Sequence, residues 1–465
     1  MRELPKLKNP KNIVMRFAPS PSGPLHLGHA YILNLNSEYC RNYKGKLIIR
    51  IEDTNPENID KDAYEMIPKD ANWATKNNVD KVYIQSDRLE IYYDYAKKII
   101  NLGKAYVCTC DNEVFKRLIS EKKPCPCRNL PPKENAERFQ KMFSFYKQGE
   151  AVLRIKTDLE NPNPAMRDWP AMRINETPHP RTGKKYRVWP LMNFSVVVDD
   201  HEMKVTHTIR AKDHMDNEKR QKYVADYFKW EMPENIYVGR INFIGMPLST
   251  SETRKGIEEG KYDGWEDIRL PFLRALKKRG YQPEAFINYA LDVGITKTDK
   301  KTTEEEFFKI INHFNKEVIE PTSKRYFFIE NPKKVKIKDA PKLTAKLPSH
   351  PDYPKLGTRT IKTTDEFYIQ DELEKDKAYR FMHLFNFKDN KFISKEYDKE
   401  LKAKLIHWLP ISGDVNIEVH MPNGSIKKGL AEEGVKDVKN GEIIQFERFA
   451  FVRRIDKNVF YYLHK

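Results

Sequence analysis

Two histidines, His26 and His29, bracket Leu27 and Gly28 in the stretch FAPSPSGPLHLGH, residues Phe17 to His29. The stretch follows an apolar run and precedes a segment with helical character. Imidazoles in the first turn of a helix can donate hydrogen bonds to a phosphate oxygen as charge builds on it. The unpaired N–H groups and positive dipole end of a helix N-terminus favour the same anion. Pro19, Pro21 and Pro24 stiffen the approach. Gly28 would let a base or ribose come close to the backbone. The two commonest phosphate loops, G-x-G-x-x-G and G-x-x-x-x-G-K-[ST], do not occur in the chain.

Three further charged residues, Arg16, Glu52 and Arg210, fall at the expected carboxyl ends of sheet strands. In an open parallel sheet, ligands bind in the crevice outside those ends. Two arginines and one carboxylate suit a substrate with two anionic groups and one ammonium, the pattern of glutamate. Glu52 would pair with the ammonium, and Arg16 and Arg210 would grip the side-chain carboxylate. The other reading of Arg210 is a strand-end residue bridged to Glu218 or Asp213. Trp189 and Asn193 read as pocket lining, or Trp189 as a packed aromatic. Four of the five cysteines form two close pairs, Cys108-x-Cys110 and Cys125-x-Cys127, with 14 residues between them. Four thiolates can close a tetrahedral structural zinc site, the alternative being free thiols. Cys40 reads as buried packing.

The elements that would carry these residues follow from pattern. IVMRFA (residues 13–18) and KLIIRIED (46–53) read as strands, with a helix from about Leu27 to Tyr43 between them: a parallel βαβ unit. Leu89, Tyr92, Tyr93, Ala96, Ile99 and Ile100 recur at helical spacing and predict a core stripe. From about Ala105 to Trp189 the periodicity weakens and cysteines and prolines appear, which predicts an inserted domain. Alternation resumes in FSVVVDD and VTHTIRA. A helix is expected from Asp213, with that residue as its N-cap, to about Trp230. NIYVGRINFIG is expected as the next strand. Residues 265–325 read as amphipathic helices. After Pro332, short strands with turn signals predict one or two β-barrels.

The bulk numbers agree with such a plan. At 465 residues the chain is long enough for two to four domains. Its formal net charge of +17 points to a polyanionic partner, nucleic acid first, or else to a protein that is simply basic. The N-terminal stretch has no signal-peptide core and no run is apolar enough to span a membrane, so the cytoplasm is expected. Free or metal-bound cysteines fit a reducing compartment. Aromatic and basic residues interleave in FERFAFVRR and KAYRFMHLFNFK, a composition that can stack unpaired bases.

MRFAPSPSGPLHLGHAYILNLN, LIIRIEDTNPEN, YRVWPLMNFSVVVDDHEMKVTHTIRAKDH and MPLSTSETRKGIEEG together resemble the class I aminoacyl-tRNA synthetases of the glutamyl/glutaminyl subclass. KLIHWLPISGDVNIEVHM is similar to the barrel domains of the archaeal and eukaryotic branch. The resemblance covers nearly the whole chain. It implies a multidomain fold: a Rossmann catalytic domain in two halves (residues 1–104 and 189–244), an inserted acceptor-stem-binding α/β domain with a zinc site (105–188), a signature loop with a helical stem-contact domain (245–328), and anticodon-binding β-barrels (329–465). It implies ATP-dependent attachment of glutamate to the 3′ end of tRNA(Glu) through glutamyl-adenylate, with Mg2+ accompanying ATP. Charging of tRNA(Gln) and the oligomeric state stay open.

By the same resemblance, ATP is held by Pro19, His26, Gly28, His29 and Ser251, and glutamate by Arg16, Ser20, Glu52, Trp189, Asn193 and Arg210. Glutaminyl enzymes carry a small uncharged residue where Arg210 stands, and Ser20 in RFAPSP is glutamyl-like. The subclass also has a mobile loop of the K-M-S-K-S type. Its counterpart here is Ser249-Thr250-Ser251-Glu252-Thr253, with both lysines replaced and one position acidic. Arg254 or Lys255 is expected to supply the missing charge. Competing readings are a glutaminyl enzyme, a catalytically impaired tRNA-binding relative, and a small-molecule nucleotidyltransferase.

Overall fold

A computed structural model describes residues 3–465. The chain divides into two compact units: residues up to Lys255 with Phe286–Glu306, and Gly256–Ala285 with Phe307–Lys465.

The first unit opens with β1 (Val14–Phe17), α1 (Leu27–Asn42), β2 (Lys46–Ile51), α2 (Ala63–Ala74), β3 (Lys81–Ile84) and α3 (Leu89–Asn101). The stripe read from α3 is buried as expected. Next come β4 (Ala105–Cys108), α4 (Asn112–Ser120), α5 (Pro132–Lys141), β5 (Val152–Ile155), β6 (Pro170–Ile174) and β7 (Val188–Pro190). These four strands form their own antiparallel sheet in sequential order. Then α6 (Met192–Glu202), β8 (His207–Ala211), α7 (Met215–Phe228) and β9 (Glu234–Val238) return the chain to the first sheet. That sheet has five parallel strands in the order β3-β2-β1-β8-β9. β1 and β2 are almost wholly buried, as strands of a parallel sheet covered on both faces are. The order runs outward from β1 in both directions, so the switch point lies between β1 and β8.

Three expectations need correction. FSVVVDD is not a strand but the body of α6, with Phe194 to Asp200 all buried. Three consecutive valines favour a strand in isolation. A helix buried all round shows no clear period, and tertiary burial overrides propensity. NIYVGRINFIG is two strands, β9 and β10 (Ile241–Ile244). β10 leaves the main sheet and pairs in parallel with a later strand, Lys300–Thr303. At the break, a side chain on Gly239 would meet the Thr298 carbonyl at 2.1 Å, so only glycine fits. Asp213 does not cap α7: the helix starts two residues later, after a single 3-10 turn, and the Asp213 carboxylate pairs with Arg240.

In the second unit, a seven-stranded sheet begins with Arg325–Tyr326 and ends with Phe328–Glu330. These edge strands are separated by one residue, so the sheet must curl back on itself. Phe328, Ile417, Phe446 and Phe460 fill one β core, and Phe327, Phe367, Phe381 and Trp408 fill another. Among the described residues, no helix is long and apolar enough to cross a membrane.

Candidate active site

At the carboxyl ends of β1 and β8 lies a cavity of about 570 Å³, bordered by Arg16, Pro19, Ser20, His26, His29, Glu52, Arg210, His214, Gln221, Ser249 and Thr250 among others. The proline-rich turn after β1 delivers the chain to His26, the N-cap of α1. His26 Nδ1 accepts from the Gly28 N–H at 3.1 Å, and His29 Nδ1 accepts from the His26 N–H at 3.3 Å. The rings stack with centroids 3.7 Å apart. Burial lowers the His26 pKa to about 4; burial, and then the neighbouring His26, hold His29 well below the ordinary histidine value. Both rings are therefore neutral at pH 7. Because each Nδ1 accepts, each proton sits on Nε2 and is available to donate.

Gly28 is not among the residues that border the cavity. A Cβ there would lie 3.0 Å from His26 Cε1, so the missing side chain makes room for the His26 ring.

Arg16 on β1 and Arg210 on β8 stand on adjacent strands and converge on one carboxylate, that of Asp200 in α6. Arg16 holds it through two bonds, Nε to Oδ1 at 3.1 Å and Nη2 to Oδ2 at 3.4 Å. Arg210 Nη2 reaches Oδ2 at 3.3 Å. Arg210 also donates through Nε to Thr208 Oγ1 at 3.2 Å and through Nη1 to Gln221 Oε1 at 2.9 Å. The expected alternatives fail: Glu218 bonds Tyr237, and Asp213 bonds Arg240. Burial, then the neighbouring Arg16, lower the Arg210 pKa to about 10, which still leaves it charged at pH 7. Glu52 borders the cavity too, but it is not free: Arg50 donates twice to its Oε1, at 2.9 and 3.2 Å.

Asp200, Arg50 and Gln221 were missed by sequence reasoning. The signal was present: two acids inside the apolar run VVVDDH must be paired if that run is buried.

Trp189 does not border the cavity. It is buried among the residues of the inserted sheet, its ring stacked on His179 at 5.0 Å. Asn193 lies one hydrogen bond behind the wall, accepting from Gln221 Nε2 and donating to Asn217, both at 3.3 Å.

The signature-like stretch opens α8 (Thr250–Glu258). Ser249 Oγ accepts from the Glu252 N–H at 3.3 Å, so this serine followed three residues later by glutamate acts as a helix start. Glu252 and Ser251 are exposed, and Ser251 Oγ is 3.1 Å from Ser249 Oγ rather than in the cavity wall. Arg254 donates to the Ser22 carbonyl at 2.7 Å and lies 3.5 Å from Asp60, which ties α8 to the turn after β1. Lys255 is exposed and does not border the cavity.

In the inserted sheet, the sulfurs of Cys108, Cys110, Cys125 and Cys127 all lie within 4.8 Å of one another. Cys108–Cys125 and Cys110–Cys127 are each 3.8 Å apart. A tetrahedron of sulfurs about 2.3 Å from a central zinc has edges of about 3.8 Å, so the donor set fits. Arg138 Nη1 stands 3.4 Å from Cys127 Sγ, a cation beside a thiolate cluster. The intervening segment forms helix α4.

The aromatic residues of FERFAFVRR and KAYRFMHLFNFK are mostly core. Phe446, Phe451, Tyr379, Phe381, Phe385 and Phe387 are buried. Arg454 caps the carbonyls of Val435, Lys436 and Val438. These stretches hold the β domains together, and their alternation of aromatic and basic residues reflects strand faces.

The parallel sheet, its switch-point cavity and the neutral histidine pair at the N-terminus of α1 define a Rossmann-like catalytic unit. Comparison with known proteins narrows this. The family model for the catalytic domain of class I tRNA synthetases (E and Q) matches residues 12–321, and models for the anti-codon binding domain of the same family match residues 323–406 and 405–455. The chain belongs to that family. A glutamate–tRNA ligase of Methanocaldococcus jannaschii is 47% identical over 98% of this chain and 83% of its own length. One of Methanobrevibacter smithii is 44% identical over 100% of this chain and 84% of its own length. Among solved structures, a glutamate tRNA ligase from Elizabethkingia meningosepticum is 20% identical, with a TM-score of 0.48 over 67% of this chain and 70% of that one.

Proposed function

We infer that this chain is an ATP-dependent glutamate–tRNA ligase that charges tRNA(Glu). The observation that carries the reading is that Arg16 and Arg210, on adjacent strands and joined through Asp200, border one cavity together with His26, His29 and Glu52. Two guanidiniums suit the γ-carboxylate, and the Glu52 carboxylate suits the α-ammonium. The curated relatives bear the corresponding name.

The chemistry then runs in two displacements. An oxygen of the α-carboxylate attacks the α-phosphorus of ATP and pyrophosphate leaves, giving glutamyl-adenylate. The 2′-hydroxyl of the terminal tRNA adenosine attacks the activated carbonyl, and AMP leaves. Neither step needs a protein nucleophile. The chain's share is alignment of the reactants and neutral Nε2–H donors from His26 and His29 toward phosphate oxygen. Mg2+ enters with the triphosphate and offsets its charge. Aminoacylation with glutamate and glutamine against tRNA(Glu) and tRNA(Gln) tests the reading. Glutamate with tRNA(Glu) is the expected productive pair, and charging with glutamine alone would overturn it.

The four cysteines are assigned to a structural zinc ion. All four positions of the tetrahedron are taken by protein sulfur, which leaves no open position for catalysis. Purified protein is expected to contain one zinc per chain by elemental analysis. Cys125→Ser should lose the metal, lower the melting temperature and expose residues 105–190 to proteolysis, because metal binding and local folding are one equilibrium. Zinc-free protein with unchanged melting would refute the assignment.

A further inference from the structure

The carboxylate of Asp200 is buried at 3% exposure and receives three guanidiniums: Arg16, Arg210 and Arg50, the last donating to Oδ1 at 2.6 Å. Arg50 is wholly buried on β2. Asp199, next in the chain, accepts from Arg88 at 2.7 Å, Tyr92 at 2.7 Å and Gln85 at 2.9 Å, and lies 3.8 Å from Arg50. With Glu52 on Arg50, the group contains four guanidiniums and three carboxylates. It carries a surplus of one positive charge. Free glutamate, with two carboxylates and one ammonium, carries one negative charge, whereas glutamine carries none.

We propose that Asp200 is a positioning and selectivity residue: it fixes the orientations of Arg16 and Arg210 and sets the surplus charge of the pocket to match glutamate. The inference rests on the glutamate reading above. Asp200 takes Nε and Nη2 of Arg16 and Nη2 of Arg210, Thr208 and Gln221 take Nε and Nη1 of Arg210, and both arginines border the cavity. Without it, Arg16, Arg210 and Arg50 repel one another across a shared buried space, Arg16 loses both bonds to this carboxylate, and Arg210 is left with Thr208 and Gln221. Burial alone would raise the Asp200 pKa, but Arg16, Arg50 and Arg210 together hold it well below the usual carboxylate range. The charge is therefore constant across the working pH range. α6 thus contributes to selection although Asp200 does not border the cavity.

The test is Asp200→Asn in amino-acid-dependent ATP–pyrophosphate exchange, with wild type run in parallel. The KM for glutamate is expected to rise at least tenfold and the KM for ATP to stay within twofold. The ratio of kcat/KM for glutamate over glutamine is expected to fall at least tenfold. Asp200→Glu, which keeps the charge but moves it, should recover part of that ratio. An unchanged ratio in a folded Asp200→Asn protein overturns the proposal. So does failure of both variants to give a cooperative melt, which makes the carboxylate a core element only. If the wild type itself prefers glutamine, the glutamate reading fails rather than the role of Asp200.

Discussion

Replacing Arg210 with cysteine should lower kcat/KM for glutamate by about 10²–10³-fold, on the order of 3–4 kcal/mol of transition-state stabilisation. The guanidinium is held by three acceptors, Asp200, Gln221 and Thr208, so its direction is set before substrate arrives. It is buried at 6% exposure, where a hydrogen bond to a charged group is worth more than at the surface. Cysteine removes both the charge and the donors. The γ-carboxylate would then enter a pocket with one guanidinium instead of two. Glutamine loses much less, because its uncharged amide gains little from a second cation. The measurement is pyrophosphate exchange with each amino acid. The expected result is a drop for glutamate with the glutamine rate held or raised. A parallel fall for both would mean that Arg210 serves the fold and not the choice of substrate.

The positions of Arg16, Glu52 and Arg210 were legible because parallel-sheet physics places strand ends in one crevice, whatever the side chains do there. What those side chains do was not legible. Glu52 reads from sequence as a partner for an ammonium, yet Arg50, two residues earlier on β2, occupies half of it. Arg210 was weighed against Glu218 and Asp213, which are near in sequence, whereas its partner lies ten residues before it on a different element. That partner was hidden by one mistaken element. Read as a strand, FSVVVDD places its two acids on opposite faces. As a helix it turns Asp199 toward Arg88 and Asp200 toward Arg16. The contacts of Asp199 and Asp200 come from the inward side of α6, where neither propensity nor period speaks.

The same limit explains Gly28 and the aromatic stretches. A glycine between two histidines looks like space for a ligand; that a Cβ there would crowd the His26 ring is a contact that exists only once His26 turns back as a cap. Alternating aromatic and basic residues fit a nucleic-acid surface and a half-buried strand equally well. The strand pattern decided: Phe446 packs in a β core with Ala450 and Val452, and Phe451 on the neighbouring paired strand is buried on the opposite face against His464. By contrast the two cysteine pairs were readable at once, since a soft-metal donor set is defined by residue type and spacing and needs little of the surrounding fold.

Removal of the histidine pair tests the chemistry most directly, and His26 needs a substitution that separates its two roles. Its Nδ1 caps α1, and the residue borders the cavity with Nε2 left as its remaining ring donor. Alanine would lose both, with about 1 kcal/mol of helix stability going with the cap. Asparagine is a good N-cap and keeps the first role while deleting the donor. His26→Asn and His29→Ala are each expected to lower kcat for pyrophosphate exchange by about 10²-fold with the KM for ATP little changed, the pattern of a bond formed mainly in the transition state. The double variant should lose less than the product of the two, because the rings are stacked on each other and substitutions at touching residues are not independent. The acid–base behaviour gives an independent check. With the folded His26 pKa near 4 and the unfolded value near 6.5, the unfolded chain binds more protons in that window. Stability therefore falls as pH drops from 6.5 toward 4 and is unaffected by these groups above it. The rate follows the same sign: kcat/KM for ATP, with Mg2+ in excess, should be level from pH 6.5 to 8.5 and fall only in acid, as the rings become cations and lose the neutral geometry. A rate that instead declines as pH rises through 6.5 would show that an imidazolium is the working form, donating to the substrate phosphate as a charged rather than a neutral partner.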